Sequence, residues 1–381
     1  MQVVINCYTP QTGWHTPLPA LDSPQTLVLV FCDPGVTLYQ AALRDLQHHY
    51  PQAVIAGCSA LAGIFNDQLM ENSLVVGIVQ FAHTRLAIAA APLNAKADAW
   101  HAGQHIATAL QQHDNLCGIL LLSDGLHTPS AELLAGVTAG INQQKVTIVG
   151  GLASDRMQFS LTWVLYNGEA RSHLACGVGF YGEKLVFKNY ARDGFKPFGP
   201  ERKITRADKQ TLYEIDHMPA LQLYREYLGD NAQYLPQIAL NFPFSIWTNS
   251  KEHYVVRVPI AINEAEQSLQ FIADIPDQSC TQLMYGTFDN LIDGAEEAAK
   301  HLTQQIPPNT PVLMLAISCS ARRLVLAEDT VQELEATFQQ LPTGSQQLGF
   351  YSFGELARTS HNGNCNLHNE TMTLTVIYEG N

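Results

Sequence analysis

Short unbroken apolar runs alternate with stretches of helical period along the first half of the chain. Leu27-Val-Leu-Val-Phe-Cys32 and Gly118-Ile-Leu-Leu-Leu-Ser-Asp124 have almost no polar positions, the mark of strands covered on both faces. Residues 54–59 and 146–151 are further strands that end in small-residue turns. Residues 36–50 place Leu38, Ala41, Ala42 and Leu46 at helical spacing, and Pro51 closes that helix. Residues 95–112 and 130–142 read as helices. Residues 74–81 and 86–91 predict a hairpin, and residues 161–166, 174–180 and 185–190 predict short strands. Together these make a mixed sheet with helices packed on it.

Asp193-Gly-Phe-Lys-Pro-Phe-Gly-Pro200, followed by the charged stretch 201–206, predicts a boundary. The expected domains are 1–200 and 201–381. In the second, residues 219–228 form a helix with Pro219 in its first turn. Residues 254–262, 269–273 and 282–285 read as strands. Residues 288–305 form a long helix whose acids come first and whose Lys300 and His301 come last, the order that suits the helix dipole. A buried strand at 311–319 and a helix at 331–341 follow. Two C-terminal strands finish the chain: 348–354, with Glu355 on the turn beyond it, and 372–378. The expected fold class is α/β in the mixed α+β sense, with two domains that each carry a mixed sheet and packed helices.

Composition narrows the function. The chain has 381 residues, 46% of them hydrophobic and only 15% charged, which suits a well-cored protein. Its net charge is −14 and it has no Lys/Arg block, so nucleic acid and anionic membrane are poor partners. No signal peptide and no span of ~20 apolar residues is visible. Eight scattered cysteines without a CxxC fit reduced thiols. The expected location is the cytoplasm.

Five strand-end turns are candidate ligand contacts, because ligands gather beyond strand ends in α/β sheets. They are Gly57-Cys58-Ser59, Ser123-Asp124-Gly125, Gly150-Gly151 with Asp155, Ser318-Cys319-Ser320 with Arg322, and Gly354-Glu355. Ordinary turn chemistry is the alternative for each. Arg322, three residues beyond Cys319, could lower that thiol's pKa and make it a nucleophile. The polar opening of the last strand, with His368, Asn369 and Thr371, is the densest candidate site. His361, Cys365 and His368 have H-x3-C-x2-H spacing, with no fourth zinc ligand nearby. His127 and His217 are further candidates for a lone axial haem ligand. GxSxG, Walker A and intact GxGxxG motifs are missing, and Gly177-Val-Gly179 lies within a strand pattern.

Several segments, in this order, resemble the FIST family, a sensory module with N-terminal and C-terminal parts. They are Gly57-Cys-Ser59, Leu122-Ser-Asp-Gly125, Gly150-Gly-Leu-Ala-Ser-Asp155, Tyr166-Asn-Gly-Glu169, Val256-Arg257, Ser318-Cys-Ser-Ala-Arg322, Gly349-Phe-Tyr-Ser-Phe-Gly-Glu355 and Leu367-His-Asn-Glu-Thr-Met-Thr-Leu374. Ile64 stands where the family often has Glu. The resemblance implies intracellular sensing of a small ligand such as an amino acid. In one subgroup it implies haem b that binds nitric oxide and controls a partner histidine kinase or other signalling enzyme. On that resemblance the ligand contacts are Cys319, Arg322, Tyr351, Glu355, His368, Asn369, Thr371, Cys58, Ser59, Asp124, Gly151 and Asp155, with His368 as the candidate haem iron ligand. A cysteine-dependent enzyme built on Cys319 is the rival expectation.

Overall fold

The unbroken apolar runs are central strands. In the computed structural model, which describes residues 1–93, 98–142, 145–358 and 364–380, Thr26–Cys32 and Leu313–Cys319 are buried at every position. Each begins a strand–helix–strand unit. Thr26–Cys32 leads through the Gln40–His49 helix to its parallel neighbour Val54–Ser59. Leu313–Cys319 leads through the Ser320–Leu326 and Thr330–Phe338 helices to its parallel neighbour Gln346–Ser352. A third unit runs from Leu116–Ser123 through the Ser130–Ala139 helix to Thr147–Leu152. The returning strand approaches very closely in all three, at Gly57, Gly150 and Gly349. A Cβ on Gly57 would lie 1.9 Å from the Val30 carbonyl oxygen, and one on Gly349 would lie 1.6 Å from that of Ala316, so only glycine fits.

Each unit supplies the middle of one sheet. The first sheet orders Glu169–Arg171, Val164–Tyr166, Val54–Ser59, Thr26–Cys32, Leu74–Gln80, Gln2–Thr9 and Gly13–Trp14. The second orders Cys365–His368, Glu355–Arg358, Thr147–Leu152, Leu116–Ser123, Leu174–Tyr181 and Arg85–Pro92. The third orders Leu185–Arg192, Met372–Glu379, Leu313–Cys319, Gln346–Ser352, Gly63–Phe65 and Gln68–Met70. A fourth sheet, between residues 196 and 285, wraps the Ala220–Leu228 helix around a separate core that includes Ile204, Leu221, Tyr224, Phe244 and Leu283.

The second and third sheets each draw strands from both sides of residue 200. Thr147–Leu152 pairs with Glu355–Arg358, Leu185–Arg192 with Met372–Glu379, and Gly63–Phe65 with Gln346–Ser352. Phe31, Leu122, Phe180, Ile317 and Phe350 share one core, with the Phe31 and Phe350 rings stacked 4.6 Å apart.

Three local expectations are corrected. Leu74–Gln80 and Arg85–Pro92 are not a hairpin, since they join the first and second sheets respectively. The link between them is held by the Glu379 carboxylate, which accepts from the backbone N–H groups of Ala82, His83 and Thr84. The first helix is preceded by a 3-10 turn at Val36–Tyr39 that resets its phase. Leu38 is therefore 59% exposed, while Tyr39, Ala42, Leu43 and Leu46 are buried. Glu355 is not on a turn but is the first residue of a strand. The helix expected at 95–112 spans Ala99–Leu110, and residues 95–97 lie outside the described residues. Among the described residues no helix is long and apolar enough to cross a membrane.

Candidate functional site

The end of the Leu313–Cys319 strand turns directly into the Ser320–Leu326 helix, and that turn buries Arg322 completely. A buried guanidinium must satisfy five N–H donors. Here Nε donates to Glu333 Oε1 at 2.8 Å. Nη1 donates to the carbonyls of Asp193 and Glu370, at 2.5 and 3.2 Å. Nη2 donates to the Leu291 carbonyl at 2.9 Å and again to Glu333. Glu333 also accepts from Tyr351 Oη at 3.1 Å and Ser318 Oγ at 3.2 Å. Arg322 and Tyr351, expected as ligand contacts, therefore spend their polar groups inside the protein. Glu333 escapes sequence reasoning because an acid in an amphipathic helix reads as surface charge.

Around this clamp sit three more buried carboxyls. Glu355 pairs in register with His368 across the Glu355–Arg358 and Cys365–His368 strands. It accepts from Ser352 Oγ at 2.6 Å, Thr371 Oγ1 at 2.9 Å and the Thr371 N–H at 3.3 Å, and burial pushes its pKa up to about 7. Asp193 accepts from the Phe195 N–H and from Tyr254 Oη, at 2.8 and 2.7 Å, and burial raises its pKa too. Glu370 is fully buried, and neither of its carboxyl oxygens has a hydrogen-bond partner. Burial holds its pKa well above the usual carboxylate range. Its backbone is left-handed, with φ 54°.

Two cavities flank this cluster. The smaller, about 60 Å³, is lined by Arg192, Asp193, Glu252, Tyr254, His368 and Thr371. Buried Asn369 adjoins the last two in the chain. His368 Nε2 lies 3.2 Å from the Ala357 carbonyl, so that nitrogen carries the hydrogen. Burial, and then the Arg257 charge, pull its pKa down to about 4, leaving the ring neutral at neutral pH. A haem needs a far larger slot, as ordinary ligand pockets of ~300–1,000 Å³ already exceed this cavity. His368 in this setting does not fit a haem ligand.

The larger cavity, about 280 Å³, opens between the Ser130–Ala139 helix and the fourth sheet. Ala131, Leu134, Ala135 and Thr138 form one wall, and Arg257, Ala273 and Asp274 face them. Asn364, Cys365, Asn366 and Leu367 complete the lining. Arg257 is 8% exposed and makes no ion pair within 4 Å among the described residues. Its Nη1 donates to the Val256 and Leu367 carbonyls at 2.9 and 3.1 Å, and burial pulls its pKa down to about 10. A buried cation beside an apolar wall, favoured by the nearby Asp274 charge but not ion-paired with it, suits an anionic group on a small molecule. Sequence reasoning did not single Arg257 out as a ligand contact. Its position at the end of the Val255–Arg257 strand was the available signal.

The other expected contacts are distributed elsewhere. Cys319 is buried, and burial first, then the nearby acids Glu355 and Glu370, drive its thiol pKa up, opposite to the expected activation by Arg322. Cys58 is equally sealed and its pKa likewise raised. Ser59 Oγ donates to the Ser154 carbonyl at 2.9 Å and accepts from the Trp163 N–H. Ser154 Oγ in turn bonds the Tyr351 carbonyl. Gly151 pairs with Glu355, bringing one first-half turn to the cluster. Asp155 caps its own loop, accepting from the N–H groups of residues 158–161. Asp124 ends the Leu116–Ser123 strand and organises two turns, at 125–127 and at 173. Cys365 and His368, three apart on one strand, point to opposite faces and line different cavities, so they do not share a metal. His361 lies outside the described residues.

Interleaved sheets with polar cavities between them define a two-part ligand-binding module. Residues 26–218 match the FIST N domain and residues 220–358 the FIST C domain, and the chain belongs to the FIST-domain family. FIST domains are small-ligand-sensing domains of signal transduction. The chain is also 33% identical, over 85 residues, to the uncharacterized protein MJ1623 of Methanocaldococcus jannaschii. That match spans 22% of this chain and 16% of the relative's length.

Proposed function

We propose that this protein senses a small carboxylate-bearing molecule of amino-acid size, held in the 280 Å³ cavity with its anionic group on Arg257. The observation that carries the reading is Arg257 itself, a buried cation with no ion pair among the described residues, facing a cavity of ligand size. Asp274 on the same lining offers an acceptor for an ammonium group, and Leu134, Ala131 and Ala135 offer an apolar wall for a side chain. Occupancy reaches the buried acids through the Leu367 carbonyl, which Arg257 holds, and through His368, whose ring feels the Arg257 charge. The recipient of the signal, on this reading, is a signalling protein such as a histidine kinase, a part of the proposal that rests on the family. The buried, proton-holding thiol of Cys319 does not favour the enzyme reading.

Calorimetric titration of the whole chain with a panel of amino acids and simple carboxylates tests this. One class should bind with unit stoichiometry. Arg257→Met should weaken it at least ~30-fold, the ~2 kcal/mol lower range for a lost charge-assisted pairing. Ala135→Phe, on the exposed side of the cavity wall, should block binding without unfolding the protein. Undiminished binding in both variants would refute the site. The haem version has its own readout: a Soret band after haem addition that disappears in His368→Ala would restore it.

A further inference from the structure

Asp124 is a fully buried carboxylate at the end of a central strand. The N–H groups of His173, Leu126 and His127 and the Thr162 hydroxyl all donate to its carboxylate. Its Oδ2 accepts the His173 N–H at 2.8 Å, while Oδ1 accepts Thr162 Oγ1 at 2.9 Å and the Leu126 N–H at 2.9 Å. Those bonds pin the two turns that carry His127 and His173 against each other. The two imidazoles, both on exposed residues, lie 4.2 Å apart between ring centres and tilted by 41°. Among the described residues, no lysine or arginine pairs with Asp124 within 4 Å, and its one charge-capable partner is His127.

The distances fit a metal site. His127 Nδ1 lies 3.3 Å from Asp124 Oδ1, long for a charge-assisted N–H···O bond of ~2.7–2.9 Å. It equals the ~3.3 Å edge of a tetrahedron built on metal–ligand bonds of ~2.0–2.1 Å. One donor atom from each of Asp124, His127 and His173 lies within 4.8 Å of the others. The carboxylate is already oriented by Thr162 and backbone donors, the outer support that ligating carboxylates carry.

We infer that Asp124, His127 and His173 form a site for one divalent transition-metal ion of the zinc class, with its remaining coordination position open to solvent. Two imidazoles and one carboxylate suit zinc, cobalt or ferrous iron and disfavour calcium and magnesium, which take oxygen ligands. The bound ion bridges the 124–127 and 173 turns. The Ser130–Ala139 helix, which walls the larger cavity, begins three residues beyond His127, so the metal stiffens that wall at its root.

The test uses the untagged, chelator-stripped whole chain titrated with Co²⁺. One equivalent per chain should bind and give the visible absorption of four-coordinate Co²⁺ with nitrogen and oxygen ligands, and Zn²⁺ should displace it. His127→Gln and His173→Gln should each weaken uptake more than ~100-fold, beyond what loss of an outer-shell partner costs. Both are surface positions, and unchanged metal-free melting of the variants verifies folding. No stoichiometric uptake by the wild type would overturn the site. Undiminished uptake by the double variant, or sulfur-to-cobalt charge-transfer bands that place the ion on cysteines, would overturn it as well.

Discussion

Glu355 and His368 face each other across two paired strands and titrate in opposite senses. The Glu355 pKa rises from 4.5 to about 7 on folding, so its contribution to stability is full below pH 4.5 and is lost as pH rises through about 7. The His368 pKa falls from 6.5 to about 4, so its contribution is full above pH 6.5 and is lost as pH falls through about 4. Between about pH 4.5 and 6.5 the two slopes offset each other. Relative to the wild type, Glu355→Gln should raise the slope of urea stability against pH across this window by ~1 kcal/mol per unit, the buried acids Asp193 and Glu370 contributing equally to both proteins. His368→Gln should lower that slope instead. Parallel pH profiles for the two variants would show that these burial effects are not acting. At this scale the sequence was partly legible. Glu355, His368 and Thr371 do converge, because small polar residues at the mouth of an apolar strand have few other roles. Glu333, Glu370 and Arg257 were not legible as partners, since nothing in a linear pattern distinguishes an acid or base turned inward from one turned to water.

At the scale of elements, the three strand–helix–strand units explain why the apolar runs could be read directly. Strands buried on both faces need unbroken hydrophobicity and leave an unmistakable trace. The short strands Gly63–Phe65, Glu355–Arg358 and Cys365–His368 left none, because their partners lie far away in the chain and tertiary pairing, not local propensity, makes them strands. Arg322 joins several of these elements at once, bonding the Asp193 loop, the Phe288–Thr303 helix through Leu291, the Thr330–Phe338 helix through Glu333, and the turn at Glu370. Arg322→Met should therefore destabilise the protein by ~3–5 kcal/mol, the cost of stranding a buried partner charge. Adding Glu333→Leu should recover a large part of that loss, because the pair's desolvation disappears with it. A double variant less stable than the sum of the single ones, measured by urea unfolding, would contradict the clamp.

For the molecule as a whole, the family's two parts meet between residues 218 and 220, while the second and third sheets draw strands from both sides of that point. Glu355 and His368 belong to a sheet whose centre, Leu116–Ser123 and Thr147–Leu152, comes from the first half. The larger cavity has a first-half helix as one wall and second-half residues as the other. Such a seam lets a small molecule bias the packing of both parts, which is what coupling a ligand to a second surface requires. Order along the chain could not reveal this arrangement, because it depends on C-terminal strands returning to edges made much earlier. The central claim is that a ligand's anionic group on Arg257 is felt at the buried cluster. The direct measurement is the His368 imidazole titration by NMR, without ligand and with the carboxylate that binds in calorimetry. Neutralising the Arg257 charge should move the His368 pKa upward from about 4, and Arg257→Met should move it the same way without ligand. A His368 titration unchanged by ligand and by Arg257→Met would contradict the account.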